Sequence, residues 1–342
     1  MSDNRSHDTG PLLEVTDLTI GYVTESGEQV VLVDSVCLRL EAGEVLCLVG
    51  ESGSGKSVTM LAVLGLLTPP LTVFSGSVKF RGRELVGADE TTMRRLRGAE
   101  LGMVFQDPMT SFNPVRRVGT QIERALAIHQ RLDGKARRRR VVELLAEVGI
   151  PQPEQRSRAY PHEWSGGMRQ RAVIAMAMAN DPAVLVADEP TTALDVTIQA
   201  QLMDVLATAR AHSGAGMVLI THDLGLVAQH ADRVAIMYAG RVVETGTVWQ
   251  VFDDATHPYT RGLQRSLLGQ AGAEAEGRAY AIPGSPPAPA ARPPGCGFAP
   301  RCDFPGKGSE CATATPVLVA SNAGHAIACP PARAVTGQEA WS

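Results

Sequence analysis

From Leu12 to Tyr22 apolar and polar residues alternate, with Leu13, Val15, Leu18 and Ile20 on the apolar side. That period predicts a half-exposed strand. Thr24 to Gln29 is a polar turn, and Val30 to Leu40 is a second strand. Val45 to Val49 is apolar at every position, as a strand covered on both faces would be. Ser57 to Leu67 reads as a mostly apolar helix. Ser77 to Phe80 and Leu101 to Phe105 predict strands, with a basic helix, Thr91 to Arg97, between them. Gly119 to Asn180 is mostly helical in pattern. Val118, Ile122, Ala125 and Leu126 share a face, and Asp133 precedes a stripe of Val141, Leu144, Leu145 and Val148. Pro151 to Pro161 reads as an irregular linker. Val184 to Ala187 and Met217 to Ile220 are two more short buried strands. Gly269 to Pro294, rich in Ala, Gly and Pro, predicts a loop.

Composition narrows the classes. A chain of 342 residues with 44% hydrophobic residues has room for two units and a large core. A net charge of −4 argues against a general nucleic-acid binder. The run Arg137 to Arg140 then reads as a solvated helix face. No apolar run reaches the roughly 18 residues of a membrane span, and Met1 to Gly10 lacks a secretory core. The expectation is a cytosolic protein whose membrane contact goes through a partner.

The chemistry centres on Gly50-Glu51-Ser52-Gly53-Ser54-Gly55-Lys56-Ser57, which fits G-x-x-x-x-G-K-[ST]. Glycines let successive backbone N–H groups turn toward phosphate oxygens, and a following helix adds its positive end. Lys56 suits the β- and γ-phosphates, Ser57 suits Mg²⁺, and Val58 continues the helix. Tyr22 offers a ring face to an adenine. Gln106 directly follows a strand and is placed to reach an ion or a water. Ser165-Gly166-Gly167 opens a helix as a second anion-binding start. Asp188-Glu189 ends a strand, where Asp188 suits Mg²⁺ and Glu189 suits an attacking water. Thr192 to Asp195 is a turn, and His222 ends another strand.

These elements, in this order, resemble the nucleotide-binding subunit of an ABC transporter, over about Leu12 to Phe252. The resemblance implies a RecA-like α/β core at residues 12–255, with an antiparallel β-layer and a helical subdomain at about 107–180. It assigns Tyr22 to adenine, Gln106 to the Q-loop, Ser165 to Met168 to the signature, Asp188 to Mg²⁺ and Glu189 to catalysis. Asp195 becomes the D-loop aspartate and His222 the switch histidine. Met168 stands where the family signature usually has glutamine, while Ser165 and Gly167 are kept. The implied mechanism is a head-to-tail pair of ATPase chains, identical or homologous, each signature closing over the other's ATP. The implied partners are two transmembrane permeases, docked near Gln106 to Pro114 on the cytoplasmic face of a bacterial membrane, and indirectly an extracytoplasmic solute-binding protein. A P-loop kinase leaves Ser165 to Gly167 and His222 unexplained. A soluble ABC ATPase acting on DNA or ribosomes usually carries coiled-coil insertions or a second cassette, which this chain lacks.

Residues 256–342 form an extension rich in Pro and Cys. Four of the six cysteines, Cys296, Cys302, Cys311 and Cys329, fall there with spacing C-x5-C-x8-C-x17-C. Cys37 and Cys47 lie on strands and are expected to be buried. Thiols gathered in a cytosolic chain point to a metal before disulfides, an iron–sulfur cluster or zinc, with no metal as the remaining alternative, and the spacing does not choose. His257-Pro258-Tyr259-Thr260-Arg261-Gly262-Leu263 with this tail resembles the oligopeptide/dipeptide importer ATPases, some of which hold a [4Fe–4S] cluster there. Relatives importing nickel chelates, glutathione or other small solutes share the same tail.

Overall fold

The computed structural model describes residues 10–107, 111–192, 195–272, 280–321 and 324–334. Residues 108–110 of the expected docking segment, 193–194 of the turn before Asp195, and 273–279 of the expected loop lie outside them. The chain divides into two compact units.

One unit holds Val15–Leu38, Val45–Val78 and the chain from Thr221 onward. Strands β1 (Leu13–Val23) and β2 (Gln29–Leu40) lie mostly here, together with β3 (Val45–Val49) and β4 (Thr72–Phe80). The strand expected from Ser77 thus begins earlier, because Thr72, Val73 and Phe74 extend its β-branched and aromatic run. In β1 the buried positions pass from odd, Leu13 and Val15, to even, Leu18 and Ile20. Asp17, at φ 47°, takes up the slip. Strand β2 does the same at Ser35, φ 51°, after which Val36, Leu38 and Leu40 point inward. Cys37 therefore faces outward and is exposed, against expectation, whereas Cys47 on β3 is fully buried.

The same unit carries a sheet edge built from both ends of the sequence. Using β9 (Arg233–Tyr238), β10 (Arg241–Thr247), β11 (Val319–Ala320) and β12 (Ala326–Ile327), the order is β3-β9-β10-β12-β11. Strand β3 runs parallel to β9, pairing Leu46 with Arg233 and Val49 with Ile236. A tight turn, Ala239 at φ 45° and Gly240 at φ 81°, reverses the chain into β10. A Cβ on Gly240 would meet the Leu32 carbonyl at 2.1 Å, so the turn needs glycine twice over. Helix Pro258–Gly272 begins the tail and runs into the segment expected to be a loop.

The other unit holds Lys79–Ile220 with Arg39–Glu44 and the segment ending at Glu14. Here β6 (Leu101–Val104), β7 (Val184–Asp188) and most of β8 (Gly216–Thr221) form a parallel set in the order β6-β7-β8. Strands β7 and β8 are buried at every position, which matches their apolar stretches Val184 to Ala187 and Met217 to Ile220. The helices Val118–His129, Gly134–Glu147, Pro153–Ser157 and Gly166–Ala177 pack on one another. Val118, Ile122, Leu126, Val141, Leu144 and Leu145 are all buried, so the apolar stripes meet. The Asp133 carboxylate accepts from the Ala136 N–H at 2.8 Å and caps the second helix. The linker expected from Pro151 to Pro161 contains a one-turn helix, started by Pro153 at its first position. No helix among the described residues is long and apolar enough to cross a membrane.

Candidate functional site

In the first unit the glycine-rich loop joins β3 to helix Lys56–Val63, as its flanks predict. Gly53 at φ 79° and Gly55 at φ 102° hold conformations that L side chains rarely adopt. Lys56 is 5% exposed, although lysine is seldom buried without partners. Its Nζ donates to the Gly50 carbonyl at 2.8 Å, the Glu51 carbonyl at 3.0 Å and Ser54 Oγ at 3.3 Å. The ammonium is thus held at the inner curve of the loop. Ser52 and Gly53 are exposed at its crest, Ser54 is buried, and Ser57 and Val58 are half-buried. Tyr22 is half-buried near the end of β1. His222 is exposed just after β8, and Asp223 caps the next helix through the Gly225 N–H at 2.7 Å.

In the second unit three expected residues come together. Asp188 ends β7 and is buried. Glu189 follows at φ 44°, a strained conformation for glutamate, with its N–H on the Ile220 carbonyl at 2.9 Å. Gln106 Nε2 donates to Glu189 Oε2 at 3.1 Å, and Thr192 Oγ1 donates to the same oxygen at 2.8 Å. The strand-end glutamine and the carboxylate therefore meet although 83 positions separate them. Thr192 was legible only as a turn residue; its hydroxyl three places after Glu189 was the available signal.

Ser165 and Gly166 are exposed at the start of helix Gly166–Ala177, as an anion-binding helix start requires. Ser165 Oγ accepts from the Met168 N–H at 3.3 Å, which is the expected cap. Trp164, buried beside it, anchors the entrance. Gln170 was not singled out by sequence. It is 1% exposed, and its Nε2 donates to the Pro190 carbonyl at 2.8 Å. The helix of the signature segment is thereby tied to the residue after Glu189.

In the tail, Cys296, Cys302, Cys311 and Cys329 all line one small cavity with His257, Phe298, Phe304 and Lys307. Burial raises the Cys296 thiol, while the N–H groups of Phe298 and Ala299 bond its sulfur and act the other way. Burial likewise raises Cys302, opposed by the Phe304 N–H, and pushes Cys329 up to about 12 against the Ala332 N–H. Among the described residues no three His, Cys, Asp or Glu side chains form a group that could hold a metal ion. Neither the iron–sulfur cluster nor the zinc expected from the sequence thus has a ready-made ligand group among the described residues. His257 is fully buried, which lowers its imidazole to about 4 and keeps it neutral. The Tyr259 N–H donates to its Nδ1 at 3.1 Å, so the ring proton sits on Nε2. That Nε2 has no partner among the described residues.

Known proteins resemble this chain. Residues 33–192 match the family model described as ABC transporter, and residues 243–311 match the oligopeptide/dipeptide transporter C-terminal region. The oligopeptide transport ATP-binding protein OppD of Bacillus subtilis is 51% identical over 86% of this chain and 82% of its own length. This chain belongs to the ATP-binding proteins of the peptide ABC transporter family. The family protein OppD of Mycobacterium tuberculosis is 53% identical over 96% of this chain but only 53% of its own length. The chain thus spans about half of that relative. Among solved structures, a dimeric ATP-binding cassette in a post-hydrolysis state, bound to ADP and Pi, superposes with a TM-score of 0.62. It is 26% identical and covers 69% of this chain and 98% of the other. The ABC cassette fold expected from the sequence is therefore the fold of this chain.

Proposed function

We propose that this chain binds and hydrolyses ATP as the motor subunit of a bacterial importer of di- and oligopeptides. The observation that carries the reading is the Gln106–Glu189 hydrogen bond beside Asp188, in a chain that also holds the complete phosphate loop. A carboxylate held by Gln106 and Thr192 is oriented to take a proton from water, and its negative charge favours that transfer. The glycine-rich backbone and Lys56 grip the phosphates. Mg²⁺ takes hard oxygen ligands, and the Ser57 hydroxyl and the Asp188 carboxylate supply them, with Gln106 a further one. When bound, the ion neutralises charge on the transferred phosphoryl group. Tyr22 supplies the adenine platform, and His222 meets the γ-phosphate.

The cassette spans residues 12–255 and the tail 256–342. Ser165, Gly166 and Gly167 serve the ATP held by a second ATPase chain, so the working unit is a head-to-tail pair. The dimeric cassette bound to ADP and Pi supports this reading. Two permeases dock at the segment that starts with Gln106, which places the chain on the cytoplasmic face of the membrane. The peptide cargo follows from the tail, which matches the oligopeptide/dipeptide transporter C-terminal region. In a strain lacking this chain, wild-type protein restores uptake of a radiolabelled tripeptide and Lys56→Ala does not. Restored uptake of a nickel chelate or glutathione, with no peptide uptake, contradicts the peptide cargo.

The four tail thiols fit a [4Fe–4S] cluster. They all line one cavity, the common placement that a cluster ligated by four thiolates needs. The unpartnered Nε2–H of His257, which lines the same cavity, is a donor available to charged sulfur. Protein purified without oxygen is expected to be brown, with absorbance near about 400 nm and about four irons per chain. Cys302→Ser removes the colour. Colourless protein with one zinc per chain overturns the cluster.

A further inference from the structure

Glu51 is the first variable residue of the phosphate loop, and the tail holds it at two points. Its N–H donates to the Tyr259 hydroxyl at 2.9 Å. Its carboxylate receives Arg301 Nη1 at 2.9 and 3.1 Å. Its carbonyl is one of the three acceptors of Lys56 Nζ. Arg301 is a buried guanidinium whose remaining donors are also placed. Nε donates to the Pro283 carbonyl at 2.8 Å, Nη2 to the Ile282 carbonyl at 3.4 Å, and Nη1 also reaches the Tyr238 hydroxyl at 3.2 Å. Tyr238, Tyr259 and Phe298 pack ring against ring, with centroids 4.6 to 5.4 Å apart. The arginine lies over two of those rings. A guanidinium fixed this way has no freedom left to lose.

We infer that Arg301 and Tyr259 are positioning residues for nucleotide binding: they clamp Glu51, preform the phosphate loop and neutralise its one acidic side chain. This goes beyond the transport reading and rests only on ATP binding by the loop. Two physical effects follow from the clamp. The loop carries glycines at positions 50, 53 and 55, and ordering such a backbone on binding is costly. Fixing Glu51 beforehand removes part of that cost. The second effect is charge. A carboxylate next to the phosphate site repels a triphosphate unless a cation pairs with it. Arg301 is that cation, and it pairs in a partly buried place where screening is weak.

The charge effect gives the clamp a signature that a merely structural arginine lacks. Arg301→Gln leaves the carboxylate unpaired, whereas Glu51→Gln removes it. In the full-length chain, binding of a fluorescent ATP analogue is expected to weaken about tenfold in Arg301→Gln and about threefold in Glu51→Gln. The double variant Glu51→Gln/Arg301→Gln is expected to bind like Glu51→Gln alone, because the repulsion is gone. A double variant as weak as Arg301→Gln overturns the inference, as does Arg301→Gln binding like wild type. Should Arg301→Gln not fold, Tyr259→Phe keeps the ring packing and removes only the acceptor for the Glu51 N–H. Its affinity is expected to fall about threefold while circular dichroism shows the fold kept, and unchanged affinity overturns the clamp. Failure of the wild-type chain to bind the analogue would instead remove the ATP reading itself.

Discussion

ATP turnover by Glu189→Gln falls about a thousandfold, while nucleotide affinity stays within about twofold of wild type. The substitution changes little else. Gln106 Nε2 and Thr192 Oγ1 both donate to one oxygen, Oε2, and an amide oxygen still accepts both bonds, though more weakly than a carboxylate. The backbone at φ 44° is no harder for glutamine than for glutamate. What disappears is the negative charge that draws a proton from water. Binding without hydrolysis leaves the γ-phosphate in place, so Glu189→Gln with ATP elutes at the size of a pair. Steady-state phosphate release and size-exclusion chromatography check both parts. Turnover within about fivefold of wild type removes Glu189 from the chemistry, since a general base is worth at least about a hundredfold.

Lys56→Ala loses nucleotide binding itself, by at least about a hundredfold in affinity. The ammonium donates to two loop carbonyls and a hydroxyl, and it is nearly buried. Its removal takes away the loop's own cation and leaves the carbonyls of Gly50 and Glu51 without that donor. Within the loop the phosphate charge then faces only backbone N–H groups and the helix end. Equilibrium binding of the ATP analogue reads the loss, and circular dichroism shows whether the fold is kept. Affinity near that of wild type contradicts the phosphate role of this lysine.

How much of this was legible depended on how local each signal is. Gly50 to Ser57 was readable because a phosphate loop needs glycines and a lysine at fixed spacing. Asp188 and Glu189 were readable from their place after the apolar strand Val184 to Ala187. The cap at Asp133 and the stripe from Val141 to Leu145 followed from helical period alone. The buried places of β1, at Leu13, Val15, Leu18 and Ile20, were all readable as its apolar residues, although the alternation slips at Asp17. Cys37 was misplaced because the slip at Ser35 exchanges the faces of everything after it. The partner of Gln170 was hidden by tertiary packing, which no period encodes. Arg301 lay deepest, because 250 positions separate it from Glu51 and the chain is rich in arginine. Tyr259 was visible as part of His257-Pro258-Tyr259, but its hydroxyl could not be matched to an N–H without coordinates.

The two short strands near the end of the chain also shield their neighbour. Ala326 and Ile327 occupy the outer side of β10 opposite Thr245 and Glu244. A chain cut ahead of Val319 would leave that row of amides and carbonyls open to any extended segment that met it. Trimming the tail to shorten the protein would therefore trade a covered seam for a sticky one, and self-association, more than lost activity, would be its first cost.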